Sequence, residues 1–360
     1  MIHSGANGNG SSPRLPAPFY FDDQVTLYHG DALAIAHGLP TGSIHSIVTS
    51  PPYFWQRDYS VTGQYGLEAT PAAYVQTLRR LFSELRRVLA ADGTLWLNLG
   101  DSYAGSWGNQ SHDSDRGDLH TKVRPARQFK TGTHTGTIRP GMPPGKNMHG
   151  IPWRTALALQ DDGWILRNAV IWAKPNSMPE SVTDRLAGRY EFVFLFAKQR
   201  TYWFDLDAIR EPHADVSLRR AMPHRTAPGR SMRDGHGLVD GASPQTLRLD
   251  QMNHAAGRNP GDIWTIATKP FTEAHFAVMP EELARRCILA GCKPGGTVLD
   301  PFSGSGTTGL AAQRTGRRYI GIDINRDYLE LSLRTRLRDA AIPFPETVGD
   351  QPPVSHSRPR

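Results

Sequence analysis

The fold turns on Val298-Leu299-Asp300-Pro301-Phe302-Ser303-Gly304-Ser305-Gly306-Thr307-Thr308-Gly309, followed by Tyr319-Ile320-Gly321-Ile322-Asp323. Thr297 to Asp300 reads as a short buried strand that enters a glycine-rich turn. Thr307 to Arg314 reads as a helix and Tyr319 to Ile322 as a second strand. Strand, turn, helix and strand in this order make a parallel unit, and glycines in the turn let a ligand approach the backbone because no Cβ stands in the way. Asp323, about 20 residues beyond the turn and at the end of the second strand, is placed to accept hydrogen bonds from ribose hydroxyls. The context is that of a nucleoside cofactor. Gly304, Gly306 and Gly309 also satisfy Gly-x-Gly-x-x-Gly, so this segment alone leaves a nicotinamide cofactor open. Leu310 and Ala311 stand where a P-loop needs Lys and Ser/Thr, which disfavours ATP.

Upstream of this unit the same grammar recurs. Val25 to Tyr28 reads as a strand, Ala32 to Leu39 as a short helix and Ile44 to Val48 as the next strand, again an order that builds a parallel sheet. Gln56 to Tyr59 and Gly63 to Leu67 are polar and turn-rich, as expected of a substrate-facing loop. Thr70 can cap a helix that has Pro71 in its first turn and apolar residues from Tyr74 to Leu89 at helical spacing, with Gly93 as its expected end. Arg79, Arg80, Arg86 and Arg87 on the opposite side read as a solvated face. Thr94 to Leu99, Trp164 to Lys174 and Tyr190 to Lys198 are expected strands, while Pro152 to Gln160, Pro280 to Gly291 and Asp327 to Arg338 are expected helices.

The chemistry is expected in Val48-Thr49-Ser50-Pro51-Pro52-Tyr53. The prolines have no N–H to give a sheet ladder, so the chain must leave the sheet there. It leaves with a hydroxyl at Ser50, carbonyls around a stiff Pro51-Pro52 unit and the ring of Tyr53. An exocyclic NH2 on a planar base donates two hydrogens, so two fixed acceptors can hold it while an aromatic ring stacks on the base. Read without context, the same residues are a proline-rich turn.

The 360 residues carry 41 Lys plus Arg against 34 Asp plus Glu, a formal charge of +7 that suits a polyanionic partner. No apolar run approaches the roughly 18 to 20 residues that span a bilayer, and no metal-ligand cluster stands out. The expectation is therefore a protein without membrane or metal, cytoplasmic and associated with the nucleoid. Cys287 and Cys292 are the two cysteines; neither follows a proline, and they make no disulfide framework. Residues 1–18 and 343–360 read as tails. Residues 104–150 and 210–258 lack apolar periodicity and are rich in arginine, lysine and glycine.

Together the motifs resemble the β group of DNA amino-methyltransferases, whose catalytic motif is Asp/Asn/Ser-Pro-Pro-Tyr/Phe and whose cofactor motif has the form Asp-Pro-Phe-x-Gly-x-Gly-Thr-Thr. The resemblance covers most of residues 25–340. It implies an α/β fold: a circularly permuted, doubly wound, Rossmann-like methyltransferase sheet with inserted target-recognition loops. The catalytic half would be 19–198 with an insertion at 104–150, the target-recognition region 199–262, and the cofactor half 263–342, with the choice between 104–150 and 199–262 as the reader of bases left open.

By resemblance the cofactor is S-adenosylmethionine, held by Asp31, Phe276, Asp300, Pro301, Phe302, Ser303, Gly304, Gly306, Thr307, Thr308 and Asp323. Ser50, Pro51, Pro52 and Tyr53 would act on a base flipped out of double-stranded DNA. The Thr-Ser-Pro-Pro-Tyr form is typical of cytosine-N4 enzymes, with adenine N6 as the alternative. An RNA or protein-amide methyltransferase and a catalytically silent DNA-binding protein are the readings of another class. The resemblance also allows a cognate restriction nuclease as a counterpart, and leaves monomer and homodimer open.

Overall fold

The computed structural model describes residues 15–104, 140–213, 254, 256–268 and 278–338. Among these residues a single sheet contains β1 (Tyr20–Phe21), β2 (Val25–His29), β3 (Ile44–Thr49), β4 (Leu89–Leu99), β5 (Ile165–Ala173), β6 (Tyr190–Ala197), β7 (Ile263–Thr265), β8 (Thr297–Asp300) and β9 (Arg318–Asp323). Their spatial order is β1-β2-β9-β8-β3-β4-β6-β5-β7. β2, β9, β8, β3 and β4 run parallel, whereas β6 is antiparallel to both its neighbours. The helices are α1 (Ala32–Gly38), α2 (Pro71–Val88), α3 (Ile151–Asp161), α4 (Glu281–Gly291), α5 (Thr307–Arg314) and α6 (Arg326–Ser332), which continues into a π turn over Leu333–Leu337.

Both faces of the sheet are covered, which is why its central strands read as continuous apolar runs rather than alternating ones. Ile47, Leu95, Leu97, Leu299 and Ile322 pack with Ala36, Leu78 and Leu159 of α1, α2 and α3. Val48, Trp96, Val298 and Tyr319 face the other way, onto Leu283, Ala312 and Leu329 of α4, α5 and α6. From β8 the chain steps to β9 on one side, and from β3 it steps to β4 on the other. β8 and β3 are parallel neighbours, paired through Ser46 with Val298 and Ile47 with Leu299. Their carboxyl ends form the crevice where the winding reverses, the place open α/β sheets use for ligands. The strands at the centre of this winding, β8 and β9, come last in the sequence, so the sheet is circularly permuted as the motif order implied.

The structure corrects several boundaries. The α2 helix ends at Val88, short of the expected stop at Gly93, and Leu89 already begins β4. Between Leu89 and Thr94 the strand bulges against β3, where only Ile44 to Ser46 stands opposite. Gly93 sits in this bulge because a Cβ there would lie 2.7 Å from Leu89 and 3.0 Å from the His45 carbonyl. The short strands β1 and β7, too brief to show a pattern, were not expected. The α2 arginines do more than meet solvent. Arg79 pairs with Asp162 after α3, and Arg87 donates to the carbonyls of Ala36 and Leu39, closing the end of α1. Most of 104–150 and 199–262, and both expected tails apart from residues 15–18, lie outside the described residues. What is described of them is closed at the base, by a bridge of Tyr103 with Met148 and another of Glu211 with Arg258.

Candidate active site

The ends of β3 and β8 are locked together by one buried carboxylate. Asp300 Oδ1 accepts from the Thr49 hydroxyl at 2.7 Å and from Phe302 N at 3.0 Å, and Oδ2 accepts from the Thr308 hydroxyl at 2.8 Å. Three neighbours of different elements thus converge on it: β3, the turn and α5. Burial pushes its pKa up to about 6, against the lowering effect of these hydrogen bonds. Sequence motifs some 250 residues apart therefore meet through Thr49 and Asp300, and Ser50, the next residue, lines the same cavity as the glycine turn.

A cavity of about 220 Å³ opens at this junction, lined by Ser50, Pro51, Pro52 and Tyr53 on one side and by Asp300, Phe302, Ser303, Gly304, Thr307 and Thr308 on the other. A second, of about 100 Å³, adjoins it and is lined by Gly30, Tyr65, Pro301, Phe302 and Asp323. Both include Ser50, Pro52, Tyr59, Phe302, Gly304 and Tyr328, so the two form one bent groove across the strand ends. Tyr65 meets Phe302 edge-on with ring centroids 5.0 Å apart, giving the smaller chamber an aromatic wall.

The residues proposed from sequence for the cofactor fall into three groups. Asp300, Phe302, Ser303, Gly304, Thr307 and Thr308 line the larger cavity, and Pro301, Phe302, Gly304 and Asp323 the smaller. Gly306 and Asp31 line neither. Gly306 precedes α5 with φ 78°, where a Cβ would press on Ser332 at 2.9 Å. Asp31 caps α1, its Oδ1 accepting from Ala34 N at 2.9 Å. Phe276 lies outside the described residues. Asp323 is already engaged: Oδ2 accepts from Gly304 N at 2.7 Å and Oδ1 from Asn325 N at 2.8 Å. It shapes the turn as well as facing the chamber, and burial raises its pKa to about 6. Arg336, from the π turn, braces the entrance to α5 by donating to the hydroxyls of Ser305 and Thr307.

The other wall is a side-chain network that the sequence motifs did not announce. The Tyr53 hydroxyl donates to Glu191 Oε2 at 2.6 Å and lies 3.1 Å from Asn98 Oδ1, while Ser50 Oγ donates to the Tyr53 oxygen at 3.4 Å. Asn98 Nδ2 donates to the same Glu191 oxygen at 3.1 Å, and Lys174 forms an ion pair with Glu191 Oε1. The Lys174 ammonium sits 4.3 Å from the centre of the Trp172 ring. Burial and then the Glu191 carboxylate hold the Tyr53 phenol well above its ordinary pKa. Asn98, Trp172, Lys174 and Glu191 all line the larger cavity. Gly100 lets the Tyr53 ring sit close against the end of β4, since a Cβ there would lie 2.5 Å from the ring. Tyr74 donates its hydroxyl to the Pro52 carbonyl at 2.8 Å, pinning the turn from α2. A signal for this wall did exist. Asn98 interrupts an apolar strand at a buried position, and Glu191 opens one, each a polar group that needs a partner.

A cradle of glycine backbone and paired carboxylates at the switch point of a doubly wound sheet, with an aromatic and polar wall opposite, is the arrangement of a Rossmann-like methyltransferase. Residues 44–334 match the model of the DNA methylase family, that of the N6/N4 type. The Type II methyltransferase M.XycI of Xanthomonas campestris pv. cyanopsidis is 42% identical over 311 residues, covering 85% of this chain and 86% of its own. The chain belongs to this DNA methylase family, the DNA amino-methyltransferases. Among solved structures, the PvuII DNA methyltransferase (cytosine-N4-specific) matches with a TM-score of 0.56 at 18% identity, over 88% of this chain and 87% of that one. A DNA modification methylase from Thermus thermophilus, complexed with S-adenosyl-L-methionine and itself named as putative, matches with a TM-score of 0.50 at 21% identity, over 88% of this chain and 96% of that one.

Proposed function

We propose that this chain methylates the N4 amine of cytosine within a defined sequence of double-stranded DNA, using S-adenosylmethionine. The observation that carries this reading is that Ser50 and the Pro51-Pro52 turn open into the same cavity as the glycine turn after β8. An amine held at the first can be reached from a donor held at the second. The family match and the Type II relative support DNA as the substrate, and the charge of +7 suits it.

The groove fits the cofactor by its own chemistry. The smaller chamber, with Tyr65, Phe302 and the carboxylate of Asp323, suits an adenosine. The turn from Ser303 to Thr308 suits the amino-acid end. Bound there, S-adenosylmethionine supplies a methyl already activated on sulfonium, so the protein's work is placement and exclusion of water. Tyr53 stacks on a base flipped out of the helix, Ser50 accepts one amine hydrogen and the Pro51 carbonyl the other. Serine at the first position favours cytosine, by resemblance to the Thr-Ser-Pro-Pro-Tyr enzymes. The segment 199–262 is the proposed reader of the target sequence.

The test is incubation with duplex DNA and methyl-labelled cofactor, followed by separation of the nucleosides. Label in N4-methylcytosine is expected. Label in N6-methyladenine would overturn the choice of base and keep the enzyme class, and NADH bound tightly with no transfer would overturn both.

A further inference from the structure

We propose that Glu191 takes up the proton that the target amine releases, through a relay formed by Ser50 and the Tyr53 hydroxyl. This rests on the transfer to an exocyclic amine proposed above and holds for either base. An amine that gains a methyl must lose a proton, and the Ser-Pro-Pro-Tyr loop itself contains no basic side chain. The structure supplies one on β6, far away in sequence and adjacent in space.

The polarity of the hydrogen bonds points one way. Ser50 Oγ donates to the Tyr53 oxygen at 3.4 Å, and the Tyr53 hydroxyl donates to Glu191 Oε2 at 2.6 Å. With its own hydrogen committed to Tyr53, Ser50 Oγ presents lone pairs to the cavity, as an acceptor for the amine must. The chain of donors therefore starts at the substrate and ends on a carboxylate. Burial and the neighbouring carboxylate keep the phenol protonated, so Tyr53 carries a proton across without ever standing as a phenolate.

In the step, the amine lone pair forms the N–C bond to the methyl carbon as the S–C bond breaks, its electron pair going to sulfur. One amine N–H bond breaks toward Ser50 Oγ and leaves its pair on nitrogen. The serine proton moves to the Tyr53 oxygen and the phenolic proton to Glu191 Oε2. The sulfonium charge is thereby replaced by a neutral thioether, and Glu191 becomes a neutral acid. Among the described residues, the charged and titratable groups bonded to it are Lys174, just after β5, and Tyr53 from the loop after β3, with the neutral amide of Asn98 from β4. Lys174 stays on the other oxygen, and the Glu191 side chain is 15% exposed, so the proton can leave to water after turnover.

Single-turnover transfer should be measured for wild type, Glu191→Gln, Tyr53→Phe and the double variant. Cofactor and DNA dissociation constants and the fluorescence of 2-aminopurine at the target base should be read alongside. Glutamine preserves shape and an acceptor for Tyr53, and phenylalanine preserves the stacking ring. Each single change is expected to slow transfer about 100-fold, the scale of a general base. The double variant is expected to be no slower than either, because one relay is broken once. Dissociation constants within about threefold of wild type and undiminished 2-aminopurine signal are expected, which separates lost chemistry from lost binding or folding. Glu191→Gln transferring at close to the wild-type rate, or single losses that multiply, would overturn the relay alone. A wild type that labels no exocyclic amine would overturn the proposed function, and the relay with it.

Discussion

The two walls of the groove, the proposed cofactor wall and the proposed base wall, are built on opposite principles. The cofactor wall is backbone: a contiguous turn from Asp300 to Gly309 whose shape is held by Asp300 and Asp323, each accepting from main-chain N–H groups. The base wall is side chains: Tyr53, Asn98, Lys174 and Glu191 arrive from four separate elements and satisfy one another. A backbone cradle tolerates the loss of a lining side chain better than a network does, because its donors remain when a side chain goes. A network whose members are shared fails together.

Removing a side chain from the base wall should therefore have the larger effect and should spare the cofactor. Tyr53→Ala is expected to reduce methyl transfer by at least about 100-fold, since it removes stacking worth roughly 1 to 3 kcal/mol and unties Glu191 and Asn98. Isothermal calorimetry with S-adenosylmethionine should show wild-type affinity. Retention of transfer near the wild-type rate would mean the base does not stack there.

Next in size, Asp323→Ala is expected to weaken the cofactor by about 1 to 3 kcal/mol. It removes a polar wall of the small chamber and releases Gly304 N and Asn325 N, so calorimetry should be paired with a thermal melt. Unchanged affinity would take Asp323 out of the site.

Gly100→Ala sharpens the comparison because it touches the base wall without removing any polar atom. The added methyl collides with the Tyr53 ring, so the apparent KM for DNA is expected to rise about tenfold, roughly the 1.4 kcal/mol of a modest overpacking strain. Cofactor binding should not change.

The smallest effect is a matter of pH. Asp300 and Asp323 are both pushed up to about 6 by burial, whereas unfolded aspartates titrate near about 3.9. Between about pH 4 and 6 the folded chain holds protons that the unfolded chain has lost, so the contribution to stability is full below about 4 and declines as pH rises to about 6. Asp300→Asn should make that slope shallower by about half in melts across the range. An unaltered slope would place the extra protons elsewhere.

How much of this could be read beforehand follows the same division. The turn proposed for the cofactor was legible as a turn because its shape is local: Asp300 to Gly309 and Asp323 lie in one strand-turn-helix-strand unit, which can be recognised without knowing the rest of the fold. Ser50 to Tyr53 was legible as a loop for the same reason. Its partners were not, since nothing in the spacing of Asn98, Lys174 and Glu191 shows that β4, β5 and β6 bring them to one point. The end of α2 was misread for a related reason. Gly93 looks like a helix stop, but what it serves is the close passage of β3, a contact made by residues far away in sequence. Asp31, singled out by motif, also holds the start of α1, a role its place before a short helix could have suggested.

The permuted order of the sheet has a consequence for how the chain is made. β3 ends at Thr49, yet its parallel partner β8 begins only at Thr297. Until the ribosome has passed that point, the apolar edge of β3 has no strand to pair with on that side, and closing the gap joins ends some 250 residues apart. Contacts of such range slow folding, and an unpaired buried edge invites association in the meantime. A nascent chain halted before Thr297 therefore holds every residue of the base wall and no groove, and the cell acquires a working enzyme only when β8 and the unit that follows it have been made.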